Sequence, residues 1–144
     1  MNYSICRISR VAYDGALEDL YASDPNLHKK SFDEQSCQFF ERFLVYSDSF
    51  SRAMRKLGNE SYEILYNAEH IQKAWAEENG VKYGENWMRD ISFEQIRLLK
   101  PDVIYFQGIG RDSLLFLGNG GLRQTFPFLK LIVTKLALFG AFSG

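Results

Sequence analysis

The run Lys100-Pro101-Asp102-Val103-Ile104-Tyr105-Phe106-Gln107-Gly108-Ile109-Gly110 decides the fold class. Pro101 has no N–H and crowds the residue before it, so a preceding helix must stop there. Val103 to Phe106 is a continuous β-branched and aromatic run with no polar alternation. Such a run suits a strand buried on both faces, as in a parallel sheet covered by helices. Gly108 and Gly110 then allow a tight turn at the strand's carboxyl end. In open α/β sheets that end is where ligands bind.

Working outward, Ile5 to Ser9 reads as a first strand, with Arg7 its ill-fitting member. Tyr13, Leu17, Leu20 and Tyr21 share a weak helical face. Ser31-Phe32-Asp33-Glu34 matches a capping box. After it, Phe40, Phe43, Phe50, Met54 and Leu57 form an apolar stripe, interrupted by Ser47-Asp48-Ser49, which splits or kinks the helix. Arg52, Arg55 and Lys56 suit the helix end and Gly58 suits the position after it. Tyr62 to Tyr66 is the second strand, and Asn67 follows as a turn or cap residue. Ala68 to Asn79 is helical, with Ile71, Ala74 and Trp75 facing inward, and Gly80 ends it. Val81 to Arg89 reads as a loop. A second capping-box match, Ser92-Phe93-Glu94-Gln95, starts a helix that runs to Leu99. Ser113 to Phe126 is helical at both ends around Gly118-Asn119-Gly120-Gly121, and Leu129 to Val133 is the fourth strand.

Strands and helices alternate throughout, which predicts parallel strands joined by right-handed crossovers. The expected fold is α/β: one Rossmann-like, three-layer α/β/α domain over residues 1–144. Its sheet is mostly parallel, has about four strands, and is incomplete at the C-terminus.

Composition narrows the function. A formal net charge of −1 gives no global field to draw in nucleic acid. Cys6 and Cys37 form no Cys-x-x-Cys and read as two buried thiols in a reducing cytoplasm. His28 and His70 are the sole histidines, so no multi-histidine metal site is expected. The first residues lack the apolar core of a secretory leader. Phe128 to Phe142 is apolar but broken by Lys130 and Lys135, and falls short of the ~20 apolar residues of a membrane span. No acid follows Asp112, and Leu136 to Phe142 is an apolar tail that wants covering, so self-association through it is one expectation.

Gly108-x-Gly110-x-x-Ser113 approaches the dinucleotide fingerprint, but its third position is Ser. The acid that would bind a ribose about 20 residues on is absent, which argues against a nicotinamide or flavin cofactor. Glu69 and Glu77 have a spacing seen in retaining glycosyltransferases; Glu77 and Glu85 repeat it, and helix-surface charge explains both. No Asp-x-Asp, P-loop or Gly-x-Ser-x-Gly occurs. A Cys37–His70 dyad is disfavoured because Cys37 falls in a core helix.

Several stretches together resemble a known family. They are Tyr46-Ser47-Asp48-Ser49-Phe50-Ser51-Arg52-Ala53-Met54-Arg55-Lys56-Leu57-Gly58 with Tyr62-Glu63-Ile64, and Asn67 with Gln72-Lys73-Ala74-Trp75-Ala76-Glu77. Gln95-Ile96 with Lys100 to Gln107, and Leu122-Arg123-x-x-Phe126-Pro127-x-Leu129 to Val133, complete the set. This resembles the N-terminal half of bacterial family-1-type glycosyltransferases, including those similar to the spore maturation protein CgeB, over residues 5–133. The resemblance implies a GT-B enzyme, with an acceptor-binding domain here and a nucleotide-sugar donor reached only through a missing C-terminal domain. The chain then looks truncated and inactive alone, and its catalytic residues are unassigned. No cofactor or metal is implied. The acceptor-binding candidates lie at strand ends: Ser9, Arg10, Asn67, Gln107 and Gly108. Arg10 suits an acceptor phosphate or carboxylate, or else a surface salt bridge. Asn67 doubles as a helix cap and Trp75 as a core residue. A non-catalytic Rossmann-like module that binds a ligand or a partner is the alternative.

Overall fold

The computed structural model describes residues 2–13, 15–107 and 121–135. Strand β1 (Ser4–Ser9) is followed by helices α1 (Ala16–Ser23), α2 (Phe32–Arg42) and α3 (Ser49–Lys56). Strand β2 (Glu60–Leu65), helices α4 (Glu69–Glu78) and α5 (Trp87–Leu99), and strand β3 (Val103–Gln107) come next. A short helix α6 (Gly121–Thr125) leads to strand β4 (Leu131–Lys135). The four strands form one sheet in the order β2-β1-β3-β4, and every neighbouring pair is parallel.

Alternation along the strands sends side chains to two cores. Cys6, Ile8, Ile64, Tyr66, Ile104 and Phe106 pack with Ile96 of α5, with Leu122 of α6 and with Phe126 just after it. On the other face, Leu65 packs with Phe39 of α2 and with Ala16 and Leu20 of α1. Phe50 of α3 stacks on Tyr105 at 5.4 Å. Helices before β2 therefore cover one face, and α5 and α6 cover the other. This is the doubly wound, Rossmann-like arrangement the alternation predicts, and the order in which strands are added reverses at β1, with β2 on one side and β3 on the other. At the amino end, Asp102 knits three strands together. Its carboxylate accepts from Ser4 N at 3.0 Å and pairs with Lys130 Nζ at 3.1 Å.

Local signals explain most boundaries. Ser31 and Glu34 form the expected reciprocal capping box at the start of α2. Gly58 adopts φ 90° just after α3, a conformation that costs a side-chain-bearing residue energy. Pro101 ends α5 as expected, with Lys100 forced to φ 46° as the cap.

Three expectations need correction. The second capping box does not start a helix: α5 begins five residues earlier, at Trp87, in the stretch read as loop. Ser92 and Gln95 lie inside it, fully or almost fully buried, because their side chains serve an interhelix hydrogen-bond cluster. The stripe from Phe40 to Leu57 splits as expected, into α2, a 3-10 turn at Leu44–Tyr46, and α3, but its residues do not all face the core. That turn resets the helical phase, so Phe39 takes the core position and Leu57 is exposed. Cys37 is exposed on α2, whereas Cys6 is buried as expected.

Candidate functional site

The carboxyl ends of the strands bring most of the sequence candidates to one rim. Ser9 is in register with Gln107 on β3 and Leu65 on β2, so Ser9 and Gln107 are neighbours. Arg10 follows Ser9 directly, and Asn67 stands two residues beyond Leu65. Gly108, with its glycine turn, lies outside the described residues.

Asn67 has a defined structural task. Its Oδ1 accepts from Val11 N at 2.8 Å and its Nδ2 donates to Val11 O at 2.9 Å. The amide thereby replaces a strand partner just where β1 and β2 diverge. The next two amides of the loop, Ala12 and Tyr13, both donate to Tyr46 Oη, at 3.0 and 2.9 Å. A nucleotide-binding turn after a first strand keeps such amides for phosphate. Here Val11, Ala12 and Tyr13 already give theirs to protein side chains.

Beside Asn67 opens a cleft of about 530 Å³, lined by Leu17, Glu18, Tyr21, Asn67, Glu69, His70, Trp87 and Met88. Three helices build it. Leu17, Glu18 and Tyr21 come from α1, Glu69 and His70 from the first turn of α4, and Trp87 and Met88 from the first turn of α5. In this topology all three helices start at the carboxyl side of the sheet. Tyr21 and His70 meet edge to face at 4.6 Å. Tyr21 Oη donates to Gln35 Oε1 at 2.6 Å, and burial pushes its phenol pKa well up, so it stays a neutral hydroxyl. Lys73 Nζ sits over the rings of Trp87 and Tyr83 and pairs with Glu69 at 2.6 Å, a hydrogen bond that raises the ammonium's pKa. The cleft thus offers aromatic surface, two carboxylates, an imidazole and an amide.

Nothing in the local sequence marks Tyr21 and Trp87 as residues that line this cleft. In the sequence Tyr21 belongs to a weak helical face and Trp87 to a loop. Neither has a local motif; they meet only because α1 and α5 start on the same side of the sheet. Trp75 is half-buried on α4 away from this cleft. The two cysteines carry no reactive signature. Burial pushes Cys6 up to about 12, and the bond from Cys37 Sγ to Glu41 raises Cys37 as well. Among the described residues no cluster of three metal-ligating side chains forms, and no helix is long and apolar enough to cross a membrane.

No protein-family model matches the chain, and neither a curated protein nor a solved structure matches it.

Proposed function

We propose that this chain is the acceptor-side half of a GT-B-type glycosyltransferase and that it holds a sugar acceptor at the carboxyl rim of its sheet. One observation carries the reading: an aromatic cleft of sugar size, about 530 Å³, opens beside Asn67. A sugar ring presents an apolar C–H face and a rim of hydroxyls. Trp87 and Tyr21 suit the first, and Glu18, Glu69 and Asn67 suit the second. The doubly wound sheet, the rim candidates Ser9, Arg10 and Gln107, and the resemblance of residues 5–133 support the same reading.

The nucleotide-sugar donor would come through a second domain facing this rim. The occupied amides of Val11, Ala12 and Tyr13 support that division of labour, because a phosphate cradle built from these three amides is already filled by protein side chains. Aligning acceptor hydroxyl and anomeric carbon in a closed cleft would then be the main catalytic contribution. The same filled cradle favours, as a second reading, a non-catalytic module that binds a small polar ligand. Two free thiols suit a cytoplasmic setting for either, and residues 136–144 are the proposed contact with a donor domain or a second copy.

A saccharide panel tests the proposal by isothermal titration. Saturable binding of a neutral saccharide, weakened by Trp87→Ala, supports it. Absence of binding by every saccharide, with the protein folded, refutes it. Adding a domain able to bind a nucleotide sugar and recovering transfer separates the first reading from the second.

A further inference from the structure

Arg7 is a cation in the interior of the sheet, on the strand between β2 and β3. Its residue is 7% exposed, a burial that a charge tolerates only when paired and hydrogen-bonded. Its counter-charge is weak. Glu63 Oε1 lies 3.5 Å from Arg7 Nη1 and also accepts from Ser51 Oγ at 2.9 Å. Burial pushes the Glu63 carboxyl up to about 7, so at neutral pH it is only partly ionised. The Phe50 ring lies over the guanidinium at 5.6 Å and closes one side.

Two atoms near this charge have no hydrogen-bond partner: Arg7 Nε and Ser9 Oγ, both buried. They are two residues apart on one strand and face the same side of the sheet. Tyr105 and Gln107 stand in register beside them. Ser9 and Gln107 are the last residues of their strands, so the pair lies next to the ligand-binding rim. An N–H can only donate and a hydroxyl can donate, so both call for an acceptor oxygen. A water would satisfy the hydroxyl but not the surplus positive charge.

We propose that Arg7 and Ser9 form an oxyanion-binding position at the carboxyl end of β1, taking a phosphate, sulfate or carboxylate group. The assignment is independent of the sugar reading: it holds whether the anion is free or carried by a larger ligand. It also gives a reason for a charged residue in a strand position that aliphatic residues usually fill.

Inorganic phosphate at constant ionic strength is the probe, followed by the ¹⁵N-detected Arg7 Nε–H resonance and by Tm. The expected result is a saturable shift of that resonance with a saturable rise in Tm. Ser9→Ala should weaken the apparent affinity about tenfold, through loss of one charge-assisted hydrogen bond. Glu63→Gln should tighten it, because Arg7 loses its competing carboxylate. Arg7→Lys keeps the charge without the Nε donor and should abolish saturation. A hexose monophosphate run in parallel separates the sources: tighter binding assigns a ligand-borne group, equal binding a free anion. An unmoved Nε–H, or an unsaturable Tm rise that is the same in Arg7→Lys, overturns the proposal, since excluded salts stabilise any folded protein that way.

Discussion

Glu63 shows how one buried residue makes stability depend on pH. Desolvation by burial raises its pKa from 4.5 to about 7, against the opposing pull of Arg7. A carboxyl with a raised folded pKa contributes stability that is fully present below its unfolded value. That stability is lost as pH rises from about 4.5 through 7. A shift of this size corresponds to about 3 kcal/mol. Urea unfolding across that range should show the decline in the wild type and a flatter profile in Glu63→Gln. Asn67 carries a different stake. Asn67→Ala should cost about 1–3 kcal/mol in the same assay, because Val11 N–H and C=O both lose their partner. Asn67→Asp should also destabilise, since it keeps the acceptor but sets a carboxylate against Val11 O.

Between elements, the pairing of α4 and α5 rests on a reciprocal amide exchange. Gln72 Nε2 donates to Gln95 Oε1 at 2.8 Å, and Gln95 Nε2 donates back to Gln72 Oε1 at 3.0 Å. Both residues are buried. Gln72→Leu or Gln95→Leu alone leaves one buried amide unpaired and should cost about 1–3 kcal/mol. The double variant should cost less than the sum of the two, which a double-mutant cycle measures. At the end of α5, Lys100 holds φ 46°. Lys100→Gly should raise stability by up to about 1 kcal/mol, as relief of left-handed strain exceeds glycine's added chain freedom. The helices also show what local sequence can reveal. Ser31 and Glu34 predicted the start of α2 because a capping box is complete within four residues. Ser92 and Gln95 imitate that spacing, yet their partner is Gln72 on another helix. No local pattern separates the two uses.

For the molecule as a whole, the alternation of strands and helices made the doubly wound fold legible. Each crossover leaves its trace in a β-branched and aromatic run such as Val103 to Phe106 and in a helix stop such as Pro101. Strand ends are legible too, which is why Ser9 and Gln107 are both candidates from sequence; that they are neighbours comes from the strand register. The cleft was not, because Tyr21, His70 and Trp87 come from three helices and share no motif. Their meeting follows from topology, and the order β2-β1-β3-β4 is set by long-range pairing. The central claim is that this cleft holds a sugar acceptor. ¹H–¹⁵N correlation spectra of the chain during a neutral saccharide titration test it most directly. The account predicts saturable shifts confined to residues 17–21, 67–70 and 87–88, abolished in Trp87→Ala. Shifts clustered elsewhere, such as along α2 and α3, or no shifts for any saccharide, would contradict it.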